Sequence, residues 1–402
     1  MRILLYIIAI ICFINAISIF SIIISAEYLA NTNTTNKFDT KYLSCPSTYV
    51  YDIDKLTKYK YDTGYGSIIS EDLHMYNIEQ HNLGEIIFSN TFKSKCIVKD
   101  PDKATVFLVP VLSPKEHVQI HKEDNGGGSK ITTVPKSTKE VLQKMCPSLS
   151  RLDLKYKYKG PHVLISDRFF SLHGFCQGYG EVDISNFFPT SFVWITNTVG
   201  HNQLSIAYPS TVNVNHKNTP LPWTLHTQRK YLMTFGASPE GTLRNKKIRA
   251  AIANQCENSK ECNYINLGQH AQPHIPISFR TKFQSTFCIE PGGYGPERKS
   301  MMDSLLLGCI PVIVSDDFVN LGIWKVNWWW YKNASIIIKE NDILSNISIR
   351  DRLAKISPVQ IRNMRDTIAK NAHTVHWGKF YSSAFETFLR AISNFHLNNK
   401  KI

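Results

Sequence analysis

Acidic residues are in short supply in this chain of 402 residues: Asp and Glu number 32 against 46 Lys and Arg, a formal charge of +14. That balance excludes an acidic protein and admits an anionic partner, whether nucleic acid, anionic lipid, sulfated glycan or a nucleotide diphosphate. No Lys/Arg block of the kind a nucleic-acid arm needs is present, nor any nucleic-acid-binding motif. The lysines are dispersed among many Asn, Ile and Tyr, so compositional drift accounts for the basicity equally well. The sequence also lacks a Cys-x-x-Cys pair and a His-Glu-x-x-His helix, which argues against a structural or catalytic zinc site. With 43% hydrophobic residues, the chain is neither disordered nor collagen-like nor a heptad repeat, and its length leaves room for two ordinary domains.

One long apolar run is present. Residues 3–25, ILLYIIAIICFINAISIFSIIIS, are uncharged and long enough to cross a bilayer core of roughly 30 Å at about 1.5 Å per residue. A cleavable leader is the alternative, with Ile24-Ser25-Ala26 a passable cleavage site. The run exceeds the usual apolar segment of a leader, about 7–15 residues, and only Arg2 and the amino terminus precede it, which favours an uncleaved anchor. Arg2 before the span and Glu27 after it put the short N-terminus in the cytosol and the remainder in a lumen. Residues 26–44, including NTNTTNKFDT, read as a polar stem. Of nine cysteines, Cys12 lies in the run. The other eight are Cys45, Cys96, Cys146, Cys176, Cys256, Cys262, Cys288 and Cys309, an even set that suits disulfide pairing in an oxidising lumen. Asn33, Asn333 and Asn346 head glycosylation sequons.

The rest divides into two halves, 45–225 and 226–376, followed by a C-terminal helix and tail at 377–402. In the first half, apolar runs at 49–53, 104–112, 162–166 and 192–196 predict strands covered on both faces. Residues 199–227 are polar and contain proline, as a connection between domains would be. In the second half, a strand at 231–236 leads through ASPEGTLR into a helix over 245–256. A second strand, 286–290, leads through PGGYGPE into a helix over 298–307 and then a strand at 310–314. Strand, glycine-containing loop, helix and strand make a βαβ unit on a parallel sheet. Further helices are predicted at 350–356, 358–372 and 379–394. The fold class is therefore α/β, with two such domains facing across a cleft.

Residues 291–317, PGGYGPERKSMMDSLLLGCIPVIVSDD, carry the chemistry. Gly292, Gly293 and Gly295 permit close backbone approach, and the helix that follows presents unpaired N–H groups with a partial positive charge. Arg298 and Lys299 stand at that helix start, so an anion belongs there. Asp303 is either a carboxylate for ribose hydroxyls or an i,i+4 ion-pair partner of Lys299. Asp316 and Asp317 end a strand where open α/β sheets bind ligands, or else cap a helix. The upstream loop repeats the pattern, with Gly236 and Gly241 before Arg244 and Arg249, whose guanidiniums suit phosphate oxygens. Two anion-ready helix starts in one domain suggest a diphosphate.

On these residues the chain resembles the exostosin-like glycosyltransferase family, in the plant-type xyloglucan and pectin glycosyltransferase branch. TYVYDI (48–53), DPDKATVFLVPVL (100–112), PHVLISDRFF (161–170), RKYLMTFGASPEG (229–241), KIRAAIANQC (247–256) and FQSTFCIEPGGYGPERKSMMDSLLLGCIPVIVSDD (283–317) follow the family's order. The resemblance implies a GT-B fold of two Rossmann-like domains, the C-terminal one holding a nucleotide sugar, a UDP-sugar, and the N-terminal one a glycan acceptor. It implies transfer with inversion and no required metal, in a Golgi membrane protein of single-pass type II topology with its catalytic part in the lumen. Assembly with a second copy or with a related transferase is also admitted. Carried over to this sequence, Arg249 and Arg298 neutralise the departing diphosphate, Asp303 holds the ribose, and Gly293 is the loop glycine; Gly236, Arg244, Gly292 and Lys299 complete the expected donor site. Asp167, His173, Glu181 and Asp183 are the candidate bases for the acceptor hydroxyl, with Asp167 the catalytic candidate.

The family generally has Asp-Ser where this chain has Tyr294-Gly295, which leaves open a catalytically silent relative that serves as a partner subunit or glycan-binding scaffold. Asp100-Pro101-Asp102 has the letters of a metal-binding D-x-D but matches the family's structural step before a strand. Trp328, Trp329 and Trp330 could stack on sugars, yet three in a row cannot all face one side. Cys288 and Cys309 flank the loop and helix on neighbouring strands, predicting a disulfide; Cys256 with Cys262 is the other local candidate.

Overall fold

The computed structural model describes residues 45–51, 75, 76, 78, 82–111, 159–166, 192–196, 203–214, 217, 219–240, 245–268, 275–293, 295–321 and 324–399. The apolar run at 3–25 and most of the stem lie outside this set. Among the described residues, no helix is long and apolar enough to cross a membrane.

The first half forms a parallel sheet of β1 (Thr48–Val50), β2 (Val106–Val111), β3 (His162–Ser166), β4 (Phe192–Thr196) and β5 (Gln203–Ser205), in sequential spatial order. Helix α1 (Leu83–Thr91) buries Leu83, Ile86, Ile87 and Phe88. The four apolar runs become strands; β5 and α1, with weaker patterns, were not foreseen. His162 opens β3 against the Phe107 ring, with centroids 4.7 Å apart. Its Nδ1 donates to the Gly160 carbonyl and its Nε2 accepts from the Tyr51 hydroxyl, each at 3.1 Å. Burial pulls its pKa down to about 4, so it is a neutral packing group.

The second half forms another parallel sheet, of β6 (Tyr231–Ala237), β7 (Cys262–Asn266), β8 (Ser285–Pro291), β9 (Ile310–Val314) and β10 (Ile336–Ile337). Between these strands run α2 (Lys246–Glu257), α3 (Ile275–Phe283) and α4 (Lys299–Leu306), and beyond β9 come α5 (Asp316–Leu321), α6 (Glu340–Leu344), α7 (Ile349–Ala354), α8 (Pro358–Asn371) and α9 (Ala384–Asn399). The spatial order is β10-β9-β8-β6-β7. Counted from β6 this is the doubly wound order 2-1-3-4-5, whose direction reverses between β6 and β8, and open α/β sheets bind ligands outside the carboxyl ends of the strands at that point. The two loops singled out from sequence leave those two strands.

Packing follows the pattern of the residues. All of β9, IPVIV, is buried, and α4 turns Met301, Met302, Leu305 and Leu306 into the core. Helix α4 stops at Gly308, whose φ of +68° few other residues adopt. Gly308 N–H donates to Leu305 O (2.9 Å) and Cys309 N–H to Ser304 O (3.0 Å), the paired closing bonds of a Schellman turn. Helix α8 starts with a reciprocal Ser357–Gln360 capping box and Pro358 in its first turn. Both foreseen disulfides are present: Cys288–Cys309 joins β8 to the residue before β9, and Cys256–Cys262 joins α2 to β7, with Cα separations of 5.8 and 5.1 Å.

The expected polar connection departs from its pattern. After β5, residues Ile206, Ala207, Tyr208, Val212 and Val214 are buried. Trp377 Nε1 donates to Ala207 O (3.0 Å), and Val214 N–H donates to His376 Nε2 (3.1 Å). Polar letters misled here in part because the Ser210 and Thr211 hydroxyls are spent on internal hydrogen bonds, to Asp303 and to Ile78 O. Trp328 and Trp330 are buried, while Trp329 is 54% exposed.

Candidate functional site

The site is built from two helix starts that lack side-chain caps. Helix α2 follows Asn245, whose Nδ2 donates to Gly293 O instead of capping its own helix. One turn in, the buried Arg249 donates from Nε and Nη2 to Gly292 O, at 3.2 and 2.9 Å. Helix α4 follows Arg298, which is extended (φ −145°, ψ 141°) and offers no cap. Among the described residues, neither N-cap side chain takes up the first N–H groups of these helices, which suits them to an anion. Gly293 lies between the two arginines: a Cβ there would sit 3.3 Å from Arg298 Cγ and 3.5 Å from Arg249 Nη2.

The Arg249 guanidinium and the Arg298 side chain therefore meet at one glycine turn beside a positive helix end. Burial, then the charge of Arg298, pulls the Arg249 pKa down to about 10, with Glu290 opposing. Arg298 Nη1 is buried and has no hydrogen-bond partner among the described residues. Like charges gathered away from water are costly unless an anion joins them. The arrangement is suited to binding one.

Behind the turn lies a buried polar cluster that sequence reasoning missed. Glu290, next to last in β8, is 1% exposed. Its Oε1 accepts from Lys282 Nζ (2.8 Å) on α3, Ser300 Oγ (3.0 Å) and Ser304 Oγ (2.6 Å), the serines lying one turn apart on α4. Lys282 Nζ also donates to Ser300 O (3.0 Å) and Ser304 Oγ (2.9 Å). The available signals were a single acid inside the apolar run TFCIEP and a Ser-x-x-x-Ser spacing on α4.

Other expected residues stand elsewhere. Asp303 is engaged: Oδ1 accepts from Ser210 Oγ (2.7 Å), Thr211 N–H (2.9 Å) and Lys299 Nζ (3.0 Å), and Oδ2 accepts from Lys299 Nζ (3.0 Å). The i,i+4 ion pair, the alternative to a ribose carboxylate, is thus the arrangement observed. Lys299, expected on the anion, gives its charge to Asp303 and a further bond to Thr211 Oγ1 (2.6 Å). Gly236 lies inside β6, where a Cβ would come 2.8 Å from Ser278 Oγ on α3; the small residue serves helix–sheet packing rather than ligand approach. Gly292 remains in the turn as the acceptor for Arg249. Asp316 opens α5, where an acid favours the helix dipole, and Ser315 Oγ accepts from Phe318 N–H (3.4 Å). Asp100 caps the short helix Pro101–Lys103 through a bond from Asp102 N–H (2.9 Å). Among the described residues, no group of His, Cys, Asp and Glu is placed to hold a metal. Arg244, Tyr294, Asp167, His173, Glu181 and Asp183 lie outside the described residues.

Paired parallel sheets, with arginines from both sides of a switch point meeting at a glycine turn, define an α/β protein fitted for an anionic ligand. The Exostosin GT47 domain model matches residues 44–353, and the chain belongs to that family. It is similar to the xyloglucan galactosyltransferase MUR3 of Arabidopsis thaliana, 32% identical over 182 residues, which cover 42% of this chain and 28% of that protein. A probable xyloglucan galactosyltransferase, GT15, from the same plant is 26% identical over 373 residues, 86% of this chain and 75% of the relative. Among solved structures, MurG of Acinetobacter baumannii gives a TM-score of 0.33 at 8% identity, covering 63% of this chain and 78% of that one.

Proposed function

We propose that the protein is a glycosyltransferase that moves a sugar from a nucleotide diphosphate sugar, a UDP-sugar, to a hydroxyl of a glycan acceptor with inversion at the anomeric carbon. The observation that carries this reading is the convergence of Arg249 and Arg298 on Gly293, with Arg298 Nη1 buried and without a partner among the described residues. The names of the xyloglucan galactosyltransferases it resembles support the same chemistry.

In the reaction, the acceptor oxygen bonds to the anomeric carbon as the bond from that carbon to the β-phosphate oxygen breaks. The electron pair leaves with the diphosphate, and the hydroxyl proton goes to a base. The diphosphate is more anionic in the transition state than in the bound donor, so two fixed guanidiniums and two helix starts lower the barrier directly. Arg298 contacts the phosphates, and Arg249 binds them while holding Gly292. Asp303 and Lys299 tie α4 to residues 210–211 and act on the donor through that tether. The base belongs to the acceptor side, with Asp167 the leading candidate. The two sheets act as the halves of a GT-B enzyme, with the acceptor on the first. The protein works in the Golgi lumen behind an anchor at residues 3–25, with Asn333 and Asn346, both exposed, as glycan acceptors.

Titration calorimetry of the purified luminal chain with UDP, together with turnover of a set of UDP-sugars, tests this reading. Binding with donor turnover is expected. Neither binding nor turnover would overturn it and leave a silent scaffold.

A further inference from the structure

We infer that Lys282 and Glu290 are positioning residues for the diphosphate site, a buried charge pair that locks the first turn of α4 against the glycine turn. The inference rests on the donor-binding reading above. Nothing in the packing of an α/β core demands an ion pair here: Phe287 and Ile289 of β8 and Met301, Met302 and Leu305 of α4 share one apolar core, and a buried pair is in general no more stable than apolar residues of similar volume. What the pair gives is geometry. Glu290 precedes Pro291, Gly292 and Gly293 directly, so its side chain is rooted in the strand that launches the turn. Through Oε1 it gathers Ser300 and Ser304, the face of α4 that follows Arg298. Lys282 closes the cluster from α3 and reaches the Ser300 carbonyl as well. The turn carrying the Arg249 acceptor and the helix start carrying Arg298 are thereby held at one fixed spacing.

Charge matters as well as shape. Oε2 of Glu290 is buried with no hydrogen-bond partner among the described residues, so the carboxylate is not saturated by its own cluster. Its field acts on Arg249, favouring the charged guanidinium against burial and against Arg298. Glu290 thus adds negative charge beside Arg249 as well as answering Lys282.

The test compares wild type, Arg298→Ala, Glu290→Gln and the paired variant Lys282→Met with Glu290→Leu, reading UDP affinity by calorimetry, donor and acceptor KM, and melting temperature. The paired variant keeps volume and leaves no buried charge alone, so it is expected to fold with a melting temperature close to wild type. Its UDP affinity should fall about tenfold and its donor KM rise by a similar factor, with acceptor KM unchanged. Glu290→Gln should move in the same direction by a smaller factor, and it answers the question if the paired variant does not fold. UDP binding equal to wild type in the folded variants, alongside loss of binding in Arg298→Ala, overturns the inference and leaves the donor reading standing. Absence of UDP binding in wild type removes both.

Discussion

Helix α4 has an arginine pair at each end, and the two pairs are held differently. At its start, Arg249 and Arg298 meet a glycine turn, an uncapped helix and the positive end of the helix dipole. At its finish, Arg229 Nη2 donates to Leu307 O and Gly308 O, each at 3.3 Å, and the guanidinium lies over the Phe283 ring at 4.8 Å. Arg365, from α8, joins it and donates to Thr227 O (3.3 Å). Burial, then the charge of Arg365, pulls the Arg229 pKa down to about 9, lower than that of Arg249. The more perturbed pair is thus the one away from the strand ends where ligands bind. Burial and like charge do not by themselves make a binding site. The helix end does: carbonyls at the finish compensate a cation, whereas N–H groups at the start add to it and leave the sum for an anion to cancel.

The largest expected effect sharpens this contrast. Arg298→Ala should weaken UDP binding about a hundredfold, about 3 kcal/mol, with little change in melting temperature, as calorimetry and thermal melts would record. If Arg229→Ala weakened UDP binding as much, the contrast would fail. Asp303→Asn comes next. It keeps an oxygen for Ser210 and Thr211 but removes the charge and the second oxygen that answer Lys299, at a cost of about 2 kcal/mol in unfolding experiments. UDP and pyrophosphate affinities should change alike; selective loss of UDP affinity would restore a ribose contact. Arg229→Ala itself should cost about 1.5 kcal/mol of stability, through two carbonyls left short of a donor and a lost cation–π contact, with UDP affinity unchanged.

The smallest effect is that of pH, and it falls outside both pairs. His162 and His376 are buried neutral, each with a pKa lowered to about 4 from the ordinary 6.5. The unfolded chain therefore binds more protons between these values, and stability is lost as pH falls from 6.5 toward 4. Between pH 7 and pH 6 the two should together cost on the order of 1 kcal/mol, seen as a lower melting temperature, while Arg229 and Arg249 stay charged.

Much of the second sheet was legible because its signals are local. IPVIV can only be a strand covered on both faces, and Gly308 must close a helix that the chain then leaves at φ +68°. The start of α4 showed itself through glycines followed by Arg298. Strand β7 and helix α3 were not legible: CNYIN alternates weakly, and IPISFRTKF carries Lys282 on what proves to be a buried face. Lys282 and Glu290, eight residues apart in the sequence, meet at 2.8 Å only in the fold.

The sequence by itself determined the strand–turn–helix units, the two disulfides foreseen and the presence of cations near a glycine turn, because each depends on residues close along the chain or on pattern period. Only the tertiary structure decided which cations stay available. Whether Lys299 answers Asp303, Arg249 answers Gly292 and Arg298 Nη1 lacks a partner among the described residues depends on groups brought together from distant segments, and electrostatic energy is set by distance in space and by burial, neither of which the order of residues records.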